Sequence, residues 1–555
     1  MVKLFKRTVA IFTKTQTNIL SAASVIMIAV FVSRILGLLR DRMLASQFSP
    51  HDLGVYYAAF RLPNMIFELL VMGALATAFI PVFTTYAETK GKEQAFRMAS
   101  SLINVGLILF TLLCIPMVIF ARQLSTLLAP GFDDVQISQM ASFTRIMLIA
   151  QVLPLIVGNF FTGMLQSFRN FLIPSLAPIL YNFGIIAGIV FLTPSFGLYA
   201  PVLGVVFGAI LFTLVQIPAI WASGYRHKVI LELSHPGVSE VGKLMLPRTI
   251  GLAVSQIDTT IDLVLSTLLG AGAVTVFNFA QHLQQLPVGL FGASIAQASL
   301  PTLSSMYATK NRQEFARILL SSFHQILFLV VPFSAILIVL RIPMVRLVFG
   351  ASSLFDWAST VATGQTLAYF AISLFAQSLV HLFARSFFAM HESKIPVLIG
   401  AVCVGINTIL SLFFILSLKG QVWSLGLSAS IASICNMVLL LYFLDRRIGP
   451  LDRYELLIPT LKILLSGFLS GIALYIPIKL LDQLVFDTTR TFNLLILTGI
   501  SAIAGLSVYF FFAWFLEVSQ VSVIRKLFGK ARLLGKGVVI DTSQEVIDES
   551  KTNVA

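Results

Sequence analysis

Fourteen stretches of the sequence are mostly apolar over about 20 residues, the length an α-helix needs to cross the hydrocarbon of a bilayer. They begin near residues 21, 53, 99, 141, 174, 199, 245, 272, 318, 358, 395, 421, 455 and 491. The pattern predicts an all-α polytopic membrane protein with about fourteen transmembrane helices. The second and eighth stretches are long, and each holds a proline, Pro63 and Pro287. Kinked or discontinuous helices lining a cavity are expected there.

Lysine and arginine collect in alternate loops. Lys90, Lys92 and Arg97 follow the second stretch, Arg169 the fourth, and Arg226, Lys228 and Lys243 the sixth. Lys310, Arg312 and Arg317 follow the eighth; Lys394 and then Arg446, Arg447 and Arg453 continue the series. The intervening loops are poorer, though Arg122, Arg341 and Arg346 lie there. By the positive-inside rule both termini are cytoplasmic, in keeping with an even number of spans.

Composition agrees. Of 555 residues 57% are hydrophobic and only 11% charged, with a mean hydropathy of +0.92, against about 25% charged in a soluble domain. The net charge of +14 is accounted for by the alternate loops and the two ends, so nucleic acid is not expected as a partner. Cys114, Cys403 and Cys435 all lie in apolar runs and form neither a disulfide framework nor a metal spacing. Residues 1–20 are basic, carry no evident cleavage site, and are expected to be a cytoplasmic N-terminal segment.

An internal repeat organises the chain. Pro81, Thr89, Lys90 and Arg97 recur as Pro301, Thr309, Lys310 and Arg317, each 220 residues on. Asp41-x-x-Leu-Ala-Ser pairs with Asp262-x-x-Leu-Ser-Thr, and Leu62-Pro63 with Leu286-Pro287. Six spans separate the copies, so both run in the same direction. Two parallel six-helix bundles are expected, related by a pseudo-twofold axis along the membrane normal with a cavity between them. The division is a bundle over 21–222, a cytoplasmic linker over 223–244 and a second bundle over 245–445. Two additional helices over 455–516 and a cytoplasmic tail over 517–555 follow. Such an arrangement argues for a transporter, and no P-loop, HExxH, GxSxG or CxxC signature points to an enzyme.

Charges inside these stretches single out candidate sites. Arg34, Arg40, Asp41, Arg42 and Arg61 lie in or beside apolar runs, where each charge costs roughly 2.5–3.5 kcal/mol at mid-span. Either Arg34, Arg40 and Arg61 line a wet cavity and grip an anionic head group, for which the planar guanidinium is well suited, or they snorkel and pair at an interface. Arg34 and Asp41, seven apart, share a helix face. Asp258 and Asp262, one turn apart, either bind a coupling cation or proton or are hydrogen-bonded within the protein. Asn407 and Ser411 either add oxygens to such a site or join helices. His282 either faces the cavity or packs. Glu68 is placed to pair with Arg61 or Arg34, and Arg145 and Arg385 are expected to snorkel near cytoplasmic ends.

With these residues assembled, the chain resembles the MurJ (MviN) family of lipid II flippases in the multidrug/oligosaccharidyl-lipid/polysaccharide exporter superfamily. Ser33-Arg34-Ile-Leu-Gly-Leu-Leu-Arg40-Asp41 and Phe60-Arg61-Leu62-Pro63-Asn64 carry the resemblance, with Ala78-Phe79-Ile80-Pro81, Ala129-Pro130-Gly131-Phe132, Leu300-Pro301-Thr302-Leu303-Ser304 and Phe387-Phe388-Ala389. It covers about residues 20–445. The resemblance implies a lipid II flippase of the bacterial inner membrane working by alternating access, driven by membrane potential or a cation. Arg34, Arg40, Arg61 and His282 would face the diphosphate, with Asp41, Asp258 and Asp262 as cavity or coupling residues. A sodium ion near Asp262, Asn407 and Ser411 would be the one bound ion, with no other cofactor, and the two C-terminal helices would form a groove for the polyprenyl tail. The expected partners are the lipid-linked precursor and membrane lipids, with a monomer as the working unit. The chain departs from the family pattern at Phe67 and His282, where arginines are usual, and at Met72 and Gly54, where acids are usual; Asp52 lies two residues from Gly54. A flippase for another polyprenyl-linked glycan, or a cation-coupled small-molecule exporter, is the alternative.

Overall fold

The computed structural model describes residues 19–69, 78–350, 352–449, 451–484 and 490–521. The expectations for residues 1–18, Met72 and the tail after 521 lie outside these residues. Every regular element among them is helical. The chain opens with α1 (Ile19–Gln47), α2 (Pro50–Ala59), α3 (Arg61–Phe67) and α4 (Ile80–Thr89). Next come α5 (Lys92–Ile119), α6 (Ala121–Leu128), α7 (Asp134–Ala150), α8 (Val152–Ser167), α9 (Leu172–Phe196), α10 (Tyr199–Leu214) and α11 (Ile217–Ala222). The second half begins with α12 (Pro236–Leu268), α13 (Ala271–Pro287), α14 (Ser294–Ala308), α15 (Arg312–Val339) and α16 (Arg341–Phe349). It continues through α17 (Trp357–Ile372), α18 (Leu374–Ala389), α19 (Lys394–Leu412) and α20 (Trp423–Ile448), and α21 (Arg453–Leu484) and α22 (Thr491–Phe515) close the chain.

Ten of the described helical runs are long and apolar enough to cross a membrane, and an eleventh candidate is α17–α18, bent by 46°. The first, second and seventh expected spans are not among them. α12 carries Glu240, Lys243, Asp258 and Asp262, and α1 is apolar up to Ser33 and carries Arg34, Arg40, Asp41 and Arg42 in its second half. The second is broken. α2 ends at Phe60 rather than at Pro63, because Pro63 falls in the first turn of α3, where its missing N–H costs nothing. Pro287 ends α13, and the chain passes through a π-helical turn over Val288–Ala293 into α14. α12 starts at Pro236, earlier than the linker boundary expected at 244.

The element order repeats as the sequence does. α5 and α15 are both 28 residues long and begin at Lys92 and Arg312, 220 apart. Short helices, α6 and α16, follow each, and Asp133 and Asp356 then cap α7 and α17, each carboxylate accepting from the backbone N–H three residues on at 2.8 Å. α9 and α10 pack with their backbones nearly touching: a Cβ on Gly184 or Gly188 would collide with Gly208 or Gly204. This is the close approach that small residues spaced four apart permit between membrane helices. α21 and α22 lie on α15, where the Tyr509 hydroxyl donates to the Phe328 carbonyl at 2.7 Å. Between the halves, residues 225–232 run along α5: Asn104 Nδ2 donates to the carbonyls of Lys228 and Ile230, and the Glu232 N–H donates to Ser101 Oγ. Beside Arg97, Glu232 accepts two hydrogen bonds and raises that guanidinium above its ordinary range.

At the end away from the basic turns, the two halves meet. The Thr275 hydroxyl donates to the Pro50 carbonyl at 2.6 Å, Arg42 Nη1 to the Leu347 carbonyl at 2.6 Å, and the Ser352 hydroxyl to the Ala45 carbonyl at 3.1 Å. A Cβ on Gly54 would run into the Ala271 carbonyl, and one on Gly131 into the Thr267 carbonyl. Backbone cannot yield as a flexible side chain can, so overpacking there costs about 1–3 kcal/mol. Gly131→Val is therefore expected to lower the unfolding midpoint of the detergent-purified protein, whereas Gly37→Ala, with nothing within 4 Å of its Cβ position, leaves it unchanged. Equal midpoints for the two variants would show that this end is not closed by backbone contact.

Candidate functional site

Below the closed end lies a cavity of about 880 Å³ whose wall includes Arg34, Arg40, Arg61, His282 and Asp262. It reaches from Tyr56 and Tyr57 to Gln166 and Pro174, beside the basic Arg169 turn. Its volume lies in the range of sites that enclose a whole small ligand. Four of the candidate cations thus share one space, contributed by α1, α3 and α13. Phe67 is also in its wall.

The three arginines are held differently. Arg40 points Nε and Nη2 at Asp41 Oδ1, at 3.0 and 2.8 Å, and gives Nη1 to Asn182 Oδ1 at 3.2 Å. The second oxygen of Asp41 meets His282 Nδ1 at 3.0 Å. One buried carboxylate therefore ties a cation of the first half to an imidazole of the second, and the Tyr57 ring packs edge-on against that imidazole. Asp41 itself is 2% exposed and stands behind Arg40 and His282, not in the cavity wall. The shared face of Arg34 and Asp41 does not become a contact, because the neighbouring Arg40 takes the carboxylate.

Arg61 is satisfied within the protein. Nε donates to the Thr260 hydroxyl at 2.8 Å, and Nη2 to the Gln256 carbonyl and Oε1 at 2.6 and 2.8 Å. Gln256 in turn donates to Glu68, so Glu68 reaches Arg61 through an amide rather than directly. Arg34, by contrast, is exposed to the cavity and has no ion-pair partner among the described residues. It is the cation most available to a ligand. Arg42 lies outside the cavity, against Leu347. Arg385 donates to the Ala293 carbonyl at 2.8 Å. Arg145 does not sit near a basic turn as expected: its Nε donates to the Val118 carbonyl at the far end of α5.

Asp258 and Asp262 face a second cavity of about 450 Å³, and Asp262 lines both. Asn407 Nδ2 donates to Asp262 Oδ1 at 3.0 Å and lies 3.5 Å from Asp258 Oδ1, while its own Oδ1 is buried without a partner. Ser411 is turned to Ser428, with 2.5 Å between the hydroxyls. No group of three or more His, Cys, Asp or Glu side chains is placed to hold a metal among the described residues. Two carboxylates, an unpartnered amide oxygen and a hydroxyl pair are nonetheless the hard oxygen donors that an alkali cation takes. Asp262, Asn407 and Ser411 fit that ion by donor type.

Asn182, Gln256 and Thr260 were not singled out from the sequence. Each is a polar residue inside an apolar run, and that was the available signal. Gly54 has a packing explanation: α2 cannot approach Ala271 with a side chain there. Asp52 is bonded to Ser49 at the start of α2.

The family model for lipid II flippase MurJ matches residues 48–490. A probable lipid II flippase MurJ of Bdellovibrio bacteriovorus is 28% identical over 516 residues, 92% of this chain and 97% of that protein. The lipid II flippase MurJ of Burkholderia cenocepacia is 28% identical over 425 residues, covering 75% of this chain and 82% of its own. Among solved structures, a lipid II flippase MurJ in an inward closed conformation superposes with a TM-score of 0.73 at 24% identity, over 90% of this chain and 99% of that one. An inward-facing multidrug transporter of the MATE family gives 0.62 at 16%, over 75% of this chain and 94% of that one. These two likenesses establish the shared fold.

Asp41 compensates two groups at once, so its removal leaves both without their acid. Asp41→Ala is expected to cost about 2–3 kcal/mol of stability, somewhat less than a fully buried pair because Arg40 also sees the cavity. Asp134→Ala, which breaks a solvent-exposed pair with Arg122, is expected to cost about 0–1 kcal/mol. Unfolding of the two purified variants compares the costs, and equal losses would remove Asp41 from its central place.

Proposed function

The chain belongs to the MurJ family of lipid II flippases, and from that premise we propose that it carries lipid II from the inner to the outer leaflet of a bacterial cytoplasmic membrane. The observation that supports this most is the cavity itself. A space of about 880 Å³ lies among apolar helices, Arg34 and Arg40 stand in its wall, and the end away from the basic turns is closed. Arg34 has its donors free among the described residues to grip a diphosphate bidentately, and Arg40 presents its guanidinium from a pair already fixed by Asp41. His282 adds a donor from the opposite half. Arg61, engaged by Gln256 and Thr260, holds α3 to α12 and binds the ligand only secondarily.

On this reading the chain has fourteen spans in two six-helix bundles about a pseudo-twofold axis, with both termini cytoplasmic and the basic turns on that side. Opening would separate Gly54 from Ala271 and Gly131 from Thr267 while the opposite end closes. Asp262 and Asn407, with Ser411 beside them, would hold a coupling sodium ion. Moving such a charge through 100 mV supplies about 2.3 kcal/mol. The additional helices α21 and α22 would guide the polyprenyl tail, and the protein works as a monomer. Phe67 and His282, both in the cavity wall where the family has arginines, support a second reading: the same mechanism acting on another polyprenyl-linked glycan.

Rescue of a bacterium depleted of its own lipid II flippase tests these readings, with expression checked by blot. The wild type and Arg42→Ala are expected to restore growth, and Arg34→Ala and Arg40→Ala to fail. Rescue by all four would leave flipping intact and remove the arginines from the site. Failure of a well-expressed wild type would favour the other glycan.

A further inference from the structure

The second cavity differs in chemistry from the first. Its wall holds Gln281, Gln284 and Gln285 of α13, Gln377 and His381 of α18, and Asn436 of α20, beside the Asp258–Asp262–Asn407 cluster. No lysine or arginine lines it among the described residues. Side-chain amides are costly in a membrane interior unless they find partners. Gln284 and Gln377 find each other. Gln281 and Gln285, six and two positions before the helix-ending Pro287, donate no side-chain hydrogen bond within the described residues. Asn436 keeps a buried side-chain oxygen without a partner, while the buried oxygen of Asn407 is the one the coupling ion would take. Helix-to-helix adhesion accounts for the Gln284–Gln377 pair but not for the remaining amides, whose donors and acceptors are left for something that enters.

We propose that this second cavity is the subsite for the sugar–peptide part of the head group, read through side-chain amides while the diphosphate rests at Arg34 and Arg40. The inference rests on the flippase reading above. The two cavities share Asp262 and Gln281 in their walls, so they adjoin, and a ligand seated in the first has the second beside it. Amides match the hydroxyl, N-acetyl and peptide groups of such a head in both donor and acceptor character. The carboxylates repel a diphosphate and attract a free amine, so the division of charge between the cavities also orients the ligand. Phe370 and Phe388 supply apolar faces in the same wall.

Binding of two lipids to the full chain in nanodiscs tests the assignment: lipid II, and undecaprenyl diphosphate, which lacks the head group. The double variant Gln285→Met with Asn436→Leu alters the second cavity only. It is expected to weaken lipid II binding by about tenfold, the worth of two hydrogen bonds, and to leave undecaprenyl diphosphate binding unchanged. That unchanged binding also shows the variant to be folded. Arg40→Ala is expected to weaken both ligands. Equal affinity of the double variant and the wild type for lipid II would overturn the subsite, as would a parallel loss of both lipids. A wild type that binds undecaprenyl diphosphate as tightly as lipid II would overturn the subsite and leave the diphosphate site standing. A wild type that binds neither lipid would overturn the flippase reading, and the subsite with it.

Discussion

The Asp41 carboxylate accepts from Arg40 with one oxygen and meets His282 with the other, and the geometry of the first cavity follows from that shared acid. A lone guanidinium among apolar helices is costly, and the usual remedy is an opposite charge nearby. Here the remedy joins α1 of the first half to α13 of the second. Arg40 is fixed from its other side by Asn182, whose place depends on α9, which in turn depends on the glycine contacts with α10. Four glycines outside the cavity wall thereby help to set the direction of a guanidinium that lines it.

Once Arg40 is neutralised and Arg61 enclosed, the positive character of the cavity falls mainly on Arg34. The wall also includes Glu68 and Asp262, so the space is not uniformly basic. A ligand with one compact anionic group and a long polar extension matches such a wall better than a polyanion does. An apolar cation would find little to hold it at Arg34.

Much of this was legible in the sequence, because a charge in an apolar run is conspicuous. Arg34, Arg40, Arg61 and His282 stood out on that ground, and so did the 220-residue repeat that reappears in the matched lengths of α5 and α15. Partners were not legible. Asn182 lies 142 residues from Arg40, Gln256 lies 195 from Arg61, and His282 lies 241 from Asp41; no local spacing connects them. The face shared by Arg34 and Asp41 was a sound helical inference that lost to a shorter reach, from the adjacent Arg40. Arg145 was misplaced although the fourth stretch begins near residue 141 and its basic turn, at Arg169, follows the other end.

The segment between the halves is held along α5 by Asn104 and Ser101, which bond its backbone carbonyls and an amide, and by Arg97, which bonds the Glu232 carboxylate. The buried Tyr225, bonded to Ser100 and His227, pins the start of the segment as well, and what links the halves is a short strut rather than a slack rope. A strut transmits push as well as pull. The strut leads into the foot of α12, and Gln256, Asp258 and Asp262 lie about six to seven turns further along the same helix. The covalent link between the halves thus runs on, through one helix, to the walls of both cavities.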